Sequence, residues 1–230
     1  MPKIILLTQP ECVAFLVPGL RAAGVDVEVA VEREDLTRAM STLSPQTRLV
    51  SFAAKVIVPA AVLGRFAGPA YNFHPGSPEY PGLFPSVHAL YDGQSEFAVT
   101  LHEMAPQVDS GPIIAAERFP IPSGANRLVL DQLTLKMMVA AFERWAPSLA
   151  AVATPLPRSG ESWRGPRRTR ADFNALCDLG ESPTAEEFAR RLRAVGEGPE
   201  HALTLTGFGR RFSLVSDAAG PVVRGGLKVS

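Results

Sequence analysis

Cysteine is nearly absent: Cys12 and Cys177 are the two in 230 residues. They lie far apart and form no C-x-x-C pair. A disulfide framework or a thiolate metal site is therefore unsupported, and a reducing compartment is the expectation. Charge of either sign is not in excess, with 23 Lys+Arg against 23 Asp+Glu. Through residue 153 the balance is 11 to 14, and beyond it 12 to 9. Neither half carries the basic surplus typical of a protein that grips phosphate backbones. No apolar run approaches the ~20 residues of a membrane span, and Pro2 leads straight into KIILLT without a signal-peptide pattern. A soluble cytoplasmic protein with no membrane partner is expected. A glycine-rich phosphate turn is missing too. The first strand is followed by Thr8-Gln9-Pro10, with no G-x-G-x-x-G and no Walker loop.

What remains is an ordinary globular balance, 46% hydrophobic and 20% charged, which argues against disorder. Short apolar runs at 3–8, 26–31, 48–52 and 69–73 read as strands. Helical spacing appears between them at 10–24, 33–43 and 59–66. That alternation predicts an α/β domain with a mostly parallel sheet. Further strands are expected at 97–104 and 112–119, with a helix at 86–91 and a long one at 127–146. Residues 154–170, rich in Pro, Gly, Ser and Arg, read as a linker between a body of residues 1–153 and a small α+β subdomain at 171–230. In that tail, Thr184-Ala185-Glu186-Glu187 opens a helix running to about 195. Strands at 201–206 and 211–215 flank Gly207-Phe208-Gly209 as a hairpin, and a last strand is expected within 221–229.

The segment from 74 to 85, HPGSPEYPGLFP, is stiffened by Pro75, Pro78, Pro81 and Pro85. A stiff loop at the carboxyl end of a strand is a place to hold a ligand. Asn72 and His74 end that strand, and a period of two puts both on one face. Asp109 sits in the turn Val108-Asp109-Ser110-Gly111-Pro112. A carboxylate near an imidazole orients the ring and favours its protonated form. Asn, His and Asp together suit acyl transfer: an amide donates to a developing oxyanion and an imidazole relays protons. No G-x-S-x-G is present, so the nucleophile is expected to come from the substrate. The four histidines form no H-x-x-x-H or H-E-x-x-H pattern, so no metal is expected. His102 is expected behind the site and His88 on a helix face.

In combination, Asn72-x-His74, the proline-rich loop, Val99-Thr100-Leu101-His102 and Val108-Asp109-Ser110-Gly111-Pro112-Ile113-Ile114 resemble the folate-dependent formyltransferase family. The resemblance is strongest over about residues 50–120. It implies a Rossmann-like formyltransferase fold, 10-formyltetrahydrofolate as formyl donor, and Asn72, His74 and Asp109 as the catalytic set. It also implies that Ala54, Lys55, Val56 and Ile57 receive the pterin ring, with Met104 and Val108 in a loop closing over it. Gly76, Ser77 and Tyr80 are expected at the acceptor's mouth. After His74 the chain reads Pro-Gly-Ser-Pro-Glu-Tyr-Pro-Gly, where the purine and tRNA enzymes usually carry Ser-Leu-Leu-Pro. That form is similar to the sugar-nucleotide N-formyltransferase branch.

The implied reaction moves a formyl group to a small amine, with an amino sugar on a nucleotide carrier as the leading class. Hydrolysis of 10-formyltetrahydrofolate uses the same residues. It is the weaker expectation, because the hydrolases carry an N-terminal regulatory domain and this chain opens on its first strand. A tRNA acceptor would engage Arg164, Arg167, Arg168, Arg170, Arg190, Arg191 and Arg193, and is disfavoured by the modest charge. A homodimer is left open.

Overall fold

A computed structural model describes residues 1–196 and 203–214. A six-stranded sheet organises them in the order β2-β1-β3-β4-β5-β6. The strands are β1 (Lys3–Thr8), β2 (Asp26–Ala30), β3 (Thr47–Phe52), β4 (Tyr71–His74), β5 (Glu96–Glu103) and β6 (Ile113–Pro120). β1 pairs in parallel with β2 and β3, and β3 in parallel with β4. β5 runs antiparallel to both its neighbours, so five of the six strands share a direction. This is the mostly parallel α/β sheet that the alternating pattern predicts.

Both faces of the sheet are covered, which is why its strands read as near-continuous apolar runs. Along β1, Ile4 and Leu6 face one apolar cluster, and Ile5 and Leu7 face the other. The first cluster takes Leu16, Val17 and Leu20 of α1 (Val13–Ala22) and Leu130, Met138 and Phe142 of α5 (Arg127–Ala150). Phe52, Phe73 and Phe142 meet there in a triangle of rings with centroids 5.3–5.7 Å apart. The second cluster takes Leu36 and Ala39 of α2 (Arg33–Ala39) and Val58 before the short α3 (Ala60–Leu63). α4 (Pro85–Tyr91) follows the proline-rich loop and is buried along most of its length.

Several boundaries differ from expectation for identifiable reasons. The stretch from Pro10 begins as a 3-10 turn and becomes α-helical only at Val13. The long helix continues through Pro147 to Ala150 rather than stopping at 146. α6 (Arg170–Cys177) was not anticipated. Its start is a capping box in which Thr169 and Asp172 bond to each other's backbone N–H, built with Asp rather than the usual Glu or Gln. α7 (Ala185–Val195) begins where Thr184 marks it. The hairpin is present as β7 (Thr204–Gly207) and β8 (Arg210–Ser213), turned through Phe208 and Gly209, both left-handed. The strand expected within 221–229 lies outside the described residues. Phe173, Cys177, Ala194, Val195 and Leu203 all join the cluster around Phe142, so the tail's apolar residues bury against the body. Among the described residues no helix is long and apolar enough to cross a membrane.

His88, on α4, is 3% exposed, and its Nε2 has no hydrogen-bond partner among the described residues. Burial, assisted by the Arg168 charge against Asp172 and Asp92, pushes its imidazole down to about 4. The folded state therefore holds His88 neutral where the unfolded chain would protonate it. Its contribution to stability is complete above the ordinary imidazole pKa and is lost as the pH falls towards 4, on the order of 2–3 kcal/mol across that window. Chemical denaturation at pH 7 and pH 4.5 should show a smaller acid loss for His88→Leu than for the wild type. An equal loss would remove His88 as a source of acid sensitivity.

Candidate active site

The site forms where β3 and β4 end and β5 lies beside them. Register pairs Asn72 with His102 and His74 with Thr100, and β5 breaks register against β6 between Leu101 and His102. Such an irregularity re-aims a side chain next to a functional site. His102 Nδ1 lies 2.8 Å from the Glu103 carbonyl, and donating there leaves Nε2 to accept from the Asn72 amide at 3.0 Å. His102 thus fixes the Asn72 side chain, and one amide hydrogen of Asn72 is left for the cleft.

Asp109 is the centre of the cluster. It is 8% exposed and takes a left-handed backbone, φ 49°, which Asp tolerates better than most residues. Its Oδ2 lies 3.2 Å from His74 Nδ1 and accepts the Gly82 N–H at 2.9 Å. Its Oδ1 lies 3.4 Å from His102 Nε2. Burial opposes ionisation, but His74 and the Gly82 N–H, together with His102 whenever its Nε2 bears a proton, outweigh it and hold the carboxyl down to about 2. His74 is pushed below the ordinary imidazole range by burial and by His102, with Asp109 pulling it part of the way back. His74 is 3% exposed, and its Nε2 faces the Tyr80 carbonyl at 3.0 Å.

A cleft opens beside this cluster. Asn72, His102 and Asp109 line it together with Ser51, Ala54, Val56, Ile57, Val58, Met104, Gln107 and Val108. Ile57 and Val108 stay exposed at its edges, 66% and 37%, and leave apolar surface open there. Of the residues expected around the pterin, Ala54, Val56, Ile57, Met104 and Val108 are in the lining; Lys55 is exposed and is not. His74 does not line the cleft. β4 ends at it, and the proline-rich loop folds back over the ring. Gly76 is obligatory there, because a Cβ would strike His74 Nε2 and Pro85. Gly76, Ser77 and Tyr80, expected at the acceptor's mouth, are buried within that loop. Thr100 holds it by donating to the Gly76 carbonyl at 2.7 Å.

The stretch read as a linker is an ordered strap. Leu156 N–H donates to the Tyr71 hydroxyl at 2.8 Å, and Arg158 binds Glu103 through two hydrogen bonds of 3.0 and 2.9 Å. Further along, Arg164 N–H donates to the Pro78 carbonyl, Arg168 N–H to Pro81, and Leu83 N–H to Arg168. Gly82 sits in this pairing at φ 100°, where a Cβ would run into Arg168, and the same residue serves Asp109. Gly82, which donates to Asp109, and Trp163, whose ring centroid lies 5.4 Å from that of His74 and 5.0 Å from that of His102, stand beside the cluster and were not expected there. A tryptophan inside a polar, proline-rich stretch was the available signal.

The arginines weighed for RNA are largely engaged within the fold. Arg190, Arg191 and Arg193 donate to the carbonyls of Tyr91, Asp178 and Ala125, Arg164 pairs with Glu79, and Arg170 lies over the Phe84 ring.

Comparison with known proteins bears on family and fold. The formyl transferase family matches residues 21–142, a span that holds Asn72, His74 and Asp109. The chain is 31% identical over 187 residues to dTDP-4-amino-4,6-dideoxyglucose formyltransferase of Mycobacterium bovis, covering 77% of this chain and 71% of that one. It is 29% identical over 198 residues to methionyl-tRNA formyltransferase of Burkholderia vietnamiensis, covering 83% of this chain. It spans little more than half of that relative, 57% of its length. Among solved structures, a sugar N-formyltransferase from Shewanella sp FDAARGOS_354 superposes with a TM-score of 0.76 at 18% identity, over 94% of this chain and 97% of that one. The N-formyltransferase from Helicobacter canadensis, solved with folinic acid and dTDP-3-aminofucose, gives 0.67 at 18% identity over 91% and 85%. At such identities the structures speak for the shared fold. The family match over more than half the sequence and the 31% identical relative together place this chain in the formyl transferase family.

Proposed function

We propose that this protein transfers the formyl group of 10-formyltetrahydrofolate to the amine of an amino sugar carried on a nucleotide. The observation that carries the reading is the ionised Asp109 between two imidazoles, beside the Asn72 amide, at the floor of an apolar-walled cleft. The donor supplies the formyl carbon: a C–N bond forms to the acceptor amine as the bond to the folate N10 breaks. Asn72 Nδ2–H, steadied by His102, donates to the formyl oxygen as it gains charge. His74, neutral at physiological pH, takes the proton released by the amine, Asp109 stabilises the resulting imidazolium, and the ring returns that proton to N10 as tetrahydrofolate leaves. For His74 Nε2 to meet the reacting groups, the proline-rich loop that packs on it, with its Tyr80 carbonyl, must move aside. Val56, Ile57, Met104 and Val108 would sandwich the folate ring. The sugar-nucleotide reading is supported by the 31% identical dTDP-amino-sugar relative and by the proline-rich loop. Residues 1–153 would form the catalytic body, with the tail appended.

The test is incubation with 10-formyltetrahydrofolate and a panel of dTDP-amino sugars, glycinamide ribonucleotide, methionyl-tRNA and water alone. Formylation of a dTDP-amino sugar well above formate release is the expected result. Absence of folate binding would overturn the reading, and steady formate release at transferase-like rates without any amine would replace it with hydrolysis.

A further inference from the structure

Trp163 reaches the site from the strap, far from any catalytic motif. Its ring stands edge-to-face against both histidines, with centroids 5.4 Å from His74 at 78° and 5.0 Å from His102 at 85°. Its Nε1–H donates to the Gly111 carbonyl at 2.8 Å, two residues beyond Asp109. One side chain thus touches both imidazoles and ties down the turn that presents the carboxylate between them. We propose that Trp163 is a positioning residue: it fixes the His74–Asp109–His102 cluster and keeps water from it, so that the formyl group passes to an amine rather than to water. The proposal rests on the formyl-transfer reading above.

The physical argument has three parts. Both imidazoles are held at their nitrogens by polar partners, and edge-to-face contact with one indole adds a second restraint on turning about χ2 of each ring. The hydrogen bond to Gly111 fixes where the indole lies, and the backbone pairing of 164–168 with 78–83 fixes the strap that carries it. Trp163 also packs against His74, which is 3% exposed although it stands beside a cleft. The groups facing His74 are Asp109 on the turn, His102 on β5 and the Tyr80 carbonyl on the loop. If the indole is lost, water reaches these groups. Water attacking the formyl carbon breaks the bond to N10, N10 takes a proton, and formate leaves with tetrahydrofolate. The burial that depresses His74 is relieved at the same time, so its titration moves up towards the ordinary imidazole value.

The full-length chain is compared with Trp163→Leu, which keeps apolar bulk, and Trp163→Phe, which keeps a ring but no donor. For Trp163→Leu we expect kcat for amine formylation to fall about tenfold or more at little-changed KM, since small misplacement of catalytic groups carries losses of that size. Formate released per formylation should rise several-fold, and the acid limb of kcat/KM should move to higher pH. Trp163→Phe should restore most of the product ratio. A folded Trp163→Leu with unchanged ratio and acid limb overturns the proposal, since a merely structural tryptophan would lower the rate without moving either. A second arm needs no substrate: NMR titration should show a higher His74 midpoint in Trp163→Leu than in the wild type, and an equal midpoint overturns the proposal. In the wild type, absence of cross-peaks between the indole and the two imidazoles overturns it too, even if the variant does not fold. Wild type that turns over no formyl donor while the midpoint shift stands defeats the reading of function and spares the positioning role.

Discussion

Asp109→Asn should retain the fold and lose about a thousandfold in kcat/KM for formyl transfer, within the range that removal of a positioned proton-transfer partner produces. Asn is close to Asp in size and tolerates the left-handed backbone at 109. Its carbonyl oxygen can still accept the Gly82 N–H. What it lacks is the charge that stabilises His74 once that ring takes a proton. The pH profile separates this from loss of packing. Asp109, held down to about 2, stays ionised across the working range and contributes no titration there. The acid limb belongs to His74, whose protonated form Asp109 favours. With that charge gone His74 protonates less readily, so the acid limb of the residual activity should move to lower pH. Folded Asp109→Asn within threefold of the wild type, or with an acid limb moved upward, would show that the carboxylate does not serve His74.

Local pattern carries the first four strands, because β1 to β4 each bury apolar side chains among flanking helices and need little else to be recognised. Their spatial order, with β1 inside β2 and β3, depends on crossovers that no local run encodes. Asn72 and His74 were legible as a pair from the strand period. That only Asn72 lines the cleft was not, because the loop folding back over His74 is directed by Gly76 and the Thr100 hydroxyl. The strap was hidden for a similar reason. Its composition matches a linker, yet its backbone donors and acceptors are matched by residues 78–83, a long way back in the chain. Pairing at that distance leaves no periodic trace. The short helix from Arg170 was likewise masked by surrounding Arg and Pro, with an Asp in its capping box.

Arg48 gives the largest expected effect on stability. It sits in β3 at a position read simply as strand, and it is 3% exposed. Its guanidinium donates to four carbonyls around the end of α5: Ser148 at 3.1 Å, Leu149 at 2.7 Å, Val152 at 3.0 Å and Thr154 at 2.7 Å. It also lies over the Tyr71 ring at 5.1 Å. The last carbonyls of a helix have no partner within it and carry the negative end of its dipole, so a buried cation there meets both needs. Arg48→Met removes the donors and leaves several carbonyls short of partners, a loss of about 3–5 kcal/mol. For a chain of this size that is a fall in Tm of roughly 10–15 °C. Arg48→Lys should recover only part of it, because a single ammonium cannot span carbonyls that a planar fork reaches together. Thermal and urea unfolding of the three proteins would measure this, and Arg48→Met within about 1 kcal/mol of the wild type would refute the capping role. The same end of α5 leads into the strap, where Leu156 N–H meets the Tyr71 hydroxyl beneath the guanidinium. Arg48→Met should therefore also loosen the element that carries Trp163. Formate release per formylation should rise in that variant at temperatures well below its own midpoint, which couples a helix cap to the fidelity of transfer.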